Sequence, residues 1–148
     1  MRATFASLLA AILPALTVGQ RGIDGNPSQD YSKQPISVSC NDMELSDGHY
    51  LDAACLEPPQ WPVSGSISTR LDLNNCLANY GGHLAYAEHG SFASSCSDCV
   101  LAGSHNDTLA CECSKGKDKG TAHSEWDLNE WHYIQNTNGN LTCYHFQE

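Results

Sequence analysis

Leu71-Asp72-Leu73-Asn74, followed by Gly81-Gly82-His83-Leu84, has a counterpart later in the chain: Trp126-Asp127-Leu128-Asn129, followed by Asn138-Gly139-Asn140-Leu141. Each copy has the pattern of a capped helical turn that ends in glycine and continues into a strand. Because the two copies lie about half a chain apart, they indicate an internal duplication.

Each copy begins with a residue suited to start a helical turn. Asp72 and Asp127 are N-cap residues in this pattern, because a carboxylate accepts the backbone N–H groups that a helix start leaves unpaired. Glu130, three positions after Asp127, completes a capping-box pattern. Gly82 and Gly139 then supply the positive φ that ends such a turn, so the sequence predicts two capped helical turns.

The cysteine-containing segments repeat in the same order. Residues 95–101 correspond to residues 39–45, and residues 109–113 correspond to residues 51–55. Apolar and polar residues alternate from 36 to 41, which predicts a half-buried strand there. Many short strands separated by turn residues, duplicated once, predict a mainly β domain.

The N-terminal region has the plan of a secretory signal peptide over residues 1–19. A short basic segment precedes an apolar run that is too short for a typical membrane span, although a retained anchor is the alternative. Residues 20–34 are polar and aperiodic, which predicts a flexible leader. The folded domain is expected over residues 35–148, with repeat one at 35–90 and repeat two at 91–148, in a secreted, extracellular protein.

The eight cysteines of this exported chain indicate a disulfide framework. The duplication makes Cys40–Cys55 and Cys96–Cys113 equivalent bridges, each across one hairpin. The Cys96–Cys113 hairpin carries an extra pair, and stepping inward along both of its strands brings those two positions opposite each other, which predicts Cys99–Cys111. Cys76 and Cys143 are left to join the first capped turn to the last strand. A zinc site on the Cys96–Cys113 hairpin is the alternative, since Cys-x-x-Cys followed by Cys-x-Cys can bind a tetrahedral metal.

Composition and motifs argue against several other function classes. The formal charge of −10 becomes −11 when residues 1–19, which contain one Arg and no acid, are removed, and such a chain repels nucleic-acid phosphates. The seven histidines are scattered and lack metal-ligand spacing. No nucleophile elbow, zinc-protease motif or phosphate loop is present, so we expect no enzyme, no metal and no cofactor.

The two glycine turns contain the most suggestive polar groups. Residues 79–82 and 136–139 place amides, hydroxyls and an aromatic ring at duplicated positions. Groups that both donate and accept hydrogen bonds match sugar hydroxyls, which do the same. Asn and Gly are also the residues that tight turns need, so composition leaves both interpretations open.

The duplicated cysteine, Asp-Leu-Asn and glycine positions together carry a family resemblance. They are Ser39-Cys40-Asn41, Cys55, Leu71-Asp72-Leu73-Asn74, Asn79, Gly82, Leu84, Phe92, Cys96, Leu101-Ala102-Gly103, Glu112-Cys113, Asp127-Leu128-Asn129, Asn136 and Gly139-Asn140-Leu141. On these positions residues 36–146 resemble the cyanovirin-N family, in a cysteine-rich form similar to the secreted members of filamentous fungi.

The resemblance implies an all-β domain of two pseudo-symmetric tandem repeats. Each repeat would hold a three-stranded sheet and a β-hairpin, with strands exchanged between the repeats and short helical turns. The implied activity is that of a non-catalytic lectin for mannose-rich glycans, particularly α1-2-linked mannose ends.

The family binds sugar at two shallow sites, one toward each end of the domain. The first site would comprise Pro35, Val38, Ser39, Leu56, Pro58, Asn136, Thr137 and Asn138. The second would comprise Ala78, Asn79, Tyr80, Gly81, Gly90, Ser91, Ser94, Ser95, Lys115, Gly116 and Asp118.

Two N-glycosylation sequons begin at Asn106 and Asn140. Asn140 adjoins Asn138 and Gly139 of the first implied site, so a glycan there would compete with a bound ligand. Enzymatic deglycosylation is therefore expected to strengthen glycan binding.

The sequence thus predicts a secreted lectin whose partners are mannose-type oligosaccharides or glycoproteins. The alternative is a cysteine-rich structural or host-interaction protein that keeps the scaffold and has lost sugar binding. The chain is expected to be a monomer or a domain-swapped dimer, since residues 87–91 between the repeats could act as a hinge.

Overall fold

The computed structural model describes residues 30–58 and 65–143. The expected signal peptide, residues 20–29 of the expected leader, residues 59–64 of the proline-rich loop and residues 144–148 lie outside the described ranges. Residues 30–34 of the expected leader are described, and Tyr31–Lys33 forms a 3₁₀ turn capped by the Asp30 side chain. No helix in the described ranges is long and apolar enough to cross a bilayer.

The first half of the fold is a three-stranded antiparallel sheet followed by a hairpin. A helical turn, α1 (Ile36–Ser39), leads into β1 (Cys40–Ser46), β2 (Tyr50–Leu56) and β3 (Ser66–Asp72), which pair in that order. The hairpin consists of β4 (Leu77–Asn79) and β5 (Leu84–Tyr86).

The second half repeats this order. A 3₁₀ turn (Phe92–Ser94) leads into the sheet of β6 (Cys96–Ala102), β7 (Thr108–Ser114) and β8 (Thr121–Asp127). The second hairpin consists of β9 (Ile134–Thr137) and β10 (Asn140–Cys143). This arrangement confirms the predicted all-β, duplicated fold.

Each hairpin packs on the sheet of the other half. The Leu84 N–H in β5 donates to Ser124 Oγ in β8 at 2.9 Å, and the Leu141 N–H in β10 donates to Thr69 Oγ1 in β3 at 3.0 Å. These equivalent bonds join the halves and confirm the expected strand exchange. The buried side chains of both halves form one continuous core.

The predicted strand over residues 36–41 is wrong for its first four residues. Ile36–Ser39 forms a helical turn in which the Val38 N–H donates to the Pro35 carbonyl at 3.0 Å. Ile36 and Ser39, three residues apart, are buried, whereas Val38 is exposed. Because the interior-facing positions follow the helical spacing of three, the apparent apolar alternation was misleading.

The predicted capped helical turns are partly wrong. Asp72 accepts from Asn74 N at 2.9 Å and caps the 3₁₀ turn Leu73–Asn75. Asp127 accepts from Asn129 N at 2.8 Å, but the following 3₁₀ turn begins only at Glu130. Short strands β4 and β9 then intervene, so the glycines lie in hairpin turns and do not end helices.

The four predicted disulfides, Cys40–Cys55, Cys76–Cys143, Cys96–Cys113 and Cys99–Cys111, are all present. In the second sheet, the register of β6 and β7 shifts between Ser97 and Val100, where Asp98 has a φ of 52°. This β-bulge places two residues of β6 opposite one residue of β7, which brings Cys99 to Cys111. The first sheet has the same shift between Asn41 and Glu44.

Candidate binding sites at the two hairpin turns

The two hairpin turns are fixed by equivalent asparagines. The turn between β9 and β10 belongs to the first implied site and is called the first turn, and the turn between β4 and β5 belongs to the second implied site and is called the second turn. Asn136 Oδ1 accepts from Gly139 N at 2.7 Å, and its Nδ2 donates to the Leu56 carbonyl at the end of β2 at 2.9 Å. Asn79 Oδ1 accepts from Gly82 N at 2.7 Å, and its Nδ2 donates to the Ser114 carbonyl at the end of β7 at 2.9 Å. Each amide therefore shapes its own turn and attaches it to the opposite sheet.

These bonds assign the two asparagines to the scaffold in this conformation. The side chain of Asn136 is fully buried, and that of Asn79 is half-buried with a further bond to Ser95 Oγ at 3.0 Å. Ser39 is also fully buried, with its Oγ 3.9 Å from Cys40 Sγ. Of the sequence-predicted site residues, the two asparagines hold the turns and Ser39 is enclosed, whereas the exposed residues beside them can reach a ligand.

The first turn exposes Thr137 and Asn138 at its tip. Thr137 Oγ1 lies 2.8 Å from Thr142 Oγ1, and Asn138 has a φ of 54°. Thr137 pairs directly with Asn140 across the hairpin, so their side chains emerge on the same face. A glycan on Asn140 would thus stand beside the Thr137 hydroxyl. Val38 is exposed, while Pro35, Leu56 and Pro58 are half-buried.

The second turn exposes Tyr80 and Gly81. The segment after the inter-repeat loop lies nearby, because Ala78 bridges to Ser91 and the Ser114 N–H donates to the Ser95 carbonyl at 2.8 Å. The structure therefore gathers around this turn the exposed candidates of three segments: Tyr80, Gly81, Ser91, Ser94, Ser95 and Lys115. Gly116 and Asp118 are exposed in the same loop as Lys115, and Gly90 is half-buried.

The hairpin tips approach the opposite sheets so closely that only glycine fits. A Cβ on Gly139, where φ is 89°, would lie 2.8 Å from Ile67 Cδ1 and 2.9 Å from Glu57 Cγ. A Cβ on Gly82, where φ is 100°, would lie 2.7 Å from Lys115 Cγ and 3.1 Å from Ala122 Cβ. Glycine is therefore required at both positions, because a Cβ would be too close to its neighbours and because the φ is positive.

The two turns differ in the charge beside them. Glu57 adjoins Gly139 in the first turn, and Lys115 adjoins Gly82 in the second. Glu57 and Lys115 occupy equivalent positions, because they lie two residues after Cys55 and Cys113 respectively. The sequence interpretation named Lys115 and missed Glu57, although the cysteine alignment would have found it. The two turns therefore share a scaffold and present opposite charges.

The clearest electrostatic shifts lie on the sheets. Hydrogen bonds from Arg70 and then Ser46 lower the pKa of Asp52, and Arg70 Nε lies 2.6 Å from Asp52 Oδ1. Hydrogen bonds to Glu112 and then Glu125 raise the pKa of His123 above its usual value near 6.5. Asp52 pairs with Arg70 across β2 and β3, and Glu112 pairs with His123 across β7 and β8, so these groups belong to the sheets and not to the turns.

Metal chemistry finds no support in the described ranges. No group of three or more His, Cys, Asp or Glu side chains there is placed to hold a metal ion, and every cysteine is in a disulfide. The zinc alternative for the Cys96–Cys113 hairpin of β6 and β7 is therefore wrong, since its four cysteines form two bridges. Asn106 of the other sequon is exposed, and its Nδ2 donates to the Met43 carbonyl at 3.2 Å.

Comparison with known proteins places this architecture in a family. The CVNH domain model matches residues 37–142, and no curated protein matches the sequence significantly. A solved T. borchii CVNH protein is 26% identical, with a TM-score of 0.60, and the match covers 75% of this chain and 100% of that one.

Two similar structures contain sugars. A MoCVNH3 variant in complex with (N-GlcNAc)4 is 20% identical, with a TM-score of 0.64 and coverage of 78% of this chain and 100% of that one. A microvirin:mannobiose complex is 23% identical, with a TM-score of 0.59 and coverage of 74% of this chain and 98% of that one. At these identities the likeness shows the fold alone.

Proposed function

Because the chain belongs to the CVNH domain family, we propose that it is a secreted, non-catalytic lectin that binds mannose-rich glycans at the two hairpin turns. The observation that carries this proposal is the duplicated turn, which two asparagines fix while its tip residues stay exposed. Preorganised neutral donors and acceptors on a shallow surface suit sugar hydroxyls, because little conformational entropy is lost on binding. Four disulfides support an extracellular location.

The exposed tip residues are the proposed sugar contacts. At the first turn, the Thr137 hydroxyl and the Asn138 amide would exchange hydrogen bonds with sugar hydroxyls. At the second, the Tyr80 ring would pack on a sugar face, and Lys115 and the nearby serines would bind hydroxyl oxygens. Asn79, Asn136 and Ser39 would act indirectly, by holding these groups in place.

The ligands to test follow from the family and from two structural neighbours. The microvirin structure contains mannobiose, and the MoCVNH3 variant structure contains a GlcNAc tetramer. We propose α1-2-linked mannosides as the preferred ligands and use GlcNAc oligomers as the comparison. The partners would be mannose-type oligosaccharides or glycoproteins, with the protein acting as a monomer or a domain-swapped dimer.

The test is glycan binding by the mature, enzymatically deglycosylated protein, measured on an array and by calorimetry. Thr137→Val with Asn138→Gly should weaken sugar binding at the first turn about tenfold, because one or two hydrogen bonds to the sugar are lost. Tyr80→Ala should weaken sugar binding at the second turn about tenfold, because an aromatic contact is lost. The combined variant should lose detectable binding at both turns. Glycine is suited to the positive φ of Asn138, so folding should be retained.

Val100→Ala is the matched control, because Val100 is an exposed side chain on β6, away from both turns. It should bind as the unmodified protein does. If no mannoside and no GlcNAc oligomer binds at millimolar concentration, the proposal fails. That result would favour the alternative, a cysteine-rich structural or host-interaction protein on the same scaffold.

A further inference from the structure

The second repeat contains two residues that the first repeat lacks. Seven positions separate Asp72 from Asn79, whereas nine separate the equivalent Asp127 from Asn136. The extra length falls in the 3₁₀ turn Glu130–His132, between the cap and β9. Between the capping aspartate and the turn asparagine, this insertion is the largest difference between the two repeats.

The inserted turn adopts a costly conformation. Trp131 has a φ of 47° and His132 a φ of 58°, and consecutive bulky residues rarely occupy this left-handed region. The Trp131 side chain is 79% exposed. His132 Nδ1 is buried without a hydrogen-bond partner in the described ranges. In the part of the chain that the structure describes, no hydrogen bond or ring contact of Trp131 offsets the strain of this backbone.

The insertion adjoins a cavity of about 460 Å³ between β5 and β8. Its lining combines apolar and aromatic side chains with one carboxylate: Leu84, Ala85, Tyr86, Trp126, Glu130 and Tyr133. The Tyr86 and Tyr133 rings stack with their centroids 4.2 Å apart. A volume of this size falls within the usual range for small-ligand sites.

The pseudo-symmetric counterpart of this junction is built differently. Cys76 and Cys143 occupy the positions equivalent to Tyr133 and Tyr86, and a disulfide joins them. One junction between the repeats is thus closed by a disulfide, whereas its counterpart is closed by stacked rings with a cavity beside them. The aromatic stack supplies the scaffold contact, and within residues 30–58 and 65–143 no hydrogen bond or ring contact of the Trp131 or Glu130 side chain explains their placement.

We propose that Trp131, Glu130 and this cavity form a third ligand site that binds one neutral pyranose ring. The exposed indole offers a flat apolar face to the C–H groups of the sugar, and the Glu130 carboxylate accepts from its hydroxyls. The carboxylate also disfavours anionic sugars. This site rests on the proposed lectin function but lies apart from the hairpin tips, since Tyr86 pairs with Leu77 at the open end of its hairpin.

The test is an NMR titration of the ¹⁵N-labelled, deglycosylated protein with α1-2-mannobiose and, separately, a GlcNAc tetramer. The Trp131 indole N–H signal, assigned with Trp131→Phe, should shift saturably with one of these sugars. Trp131→Ala and Glu130→Gln should each weaken this binding about fivefold. Trp131→Gly tests the same loss with a residue suited to the positive φ, and signal dispersion verifies folding of each variant.

The combined Tyr80, Thr137 and Asn138 variant separates this site from the turns, and its Trp131 signal should still shift. If the turn signals move while those of Trp131 and Glu130 stay, the third site is refuted and the lectin function stands. If no signal moves with either sugar, both proposals fail. A Trp131 shift that depends on protein concentration without sugar would show self-association and would overturn the sugar site.

Discussion

The two duplicated asparagines show why residue type alone does not tell whether an amide holds a turn or binds a ligand. Asn79 and Asn136 each use the amide oxygen within the turn and the amide nitrogen on the opposite sheet. Composition could not separate these roles, because the same donor and acceptor pair that suits a sugar also suits a backbone. The partner carbonyls of Leu56 and Ser114 are distant in sequence, so only the fold reveals them.

Replacing these amides should therefore destabilise the fold. In Asn136→Asp the carboxylate keeps the bond from Gly139 N but faces the Leu56 carbonyl in a buried position, and we expect a loss of about 2 kcal/mol in the free energy of unfolding. Asn79→Asp should lose less, because Asn79 is half-buried. Urea denaturation measures both, with Asn41→Asp, at an exposed position of β1, as the control. Unchanged stability of Asn136→Asp would contradict the scaffold role.

At the scale of elements, the duplication predicted most of the fold. The family resemblance gave the three-stranded sheets and their hairpins, and the duplication of the cysteine segments gave all four disulfides. It could not give the β-bulges at Asp42 and Asp98, because a bulge depends on the backbone conformation of single residues. It also missed α1, whose four residues are too few to show a helical period. The inserted turn at Trp131 was overlooked because the capping pattern was matched only from Asp127 to Glu130.

A cross-strand charge cluster on β7 and β8 should make stability depend on pH. His123 Nδ1 lies 3.0 Å from Glu112 Oε1, and its Nε2 lies 3.3 Å from Glu125 Oε1. Because these bonds raise the pKa of His123 in the folded state, their stabilisation is complete below about pH 6.5. It is lost as the pH rises through the elevated pKa.

His123→Gln should therefore lower the Tm by a few degrees at most near pH 5.5, with the difference shrinking by pH 8.5, because exposed ion pairs contribute little. Calorimetry at both pH values measures this. His105→Gln is the control, since His105 Nδ1 contacts the Ser104 hydroxyl at 3.0 Å rather than a carboxylate. A difference from the unmodified protein that grows with pH would contradict the assigned sign.

At the scale of the whole molecule, the exchanged hairpins make the two halves mutually dependent. Each half completes the core of the other, so the same contacts could in principle form within one chain or between two. Only residues 87–91 and the Cys76–Cys143 disulfide join the halves covalently in this structure. The other three bridges each lie within one sheet. The Cys76–Cys143 bridge therefore holds the exchange within one chain.

Removing this bridge should favour a domain-swapped dimer. We expect Cys76→Ala with Cys143→Ala to lose about 4 kcal/mol of stability in the chain-entropy model and to form dimers on refolding at high concentration, as measured by light scattering. The matched control is Cys99→Met with Cys111→Ala, which installs the equivalent Met43 and Ala53 of the first sheet. It should lose about 3 kcal/mol and remain monomeric. Equal dimer formation by both variants would show that lost stability, and not the position of the Cys76–Cys143 bridge, controls the exchange.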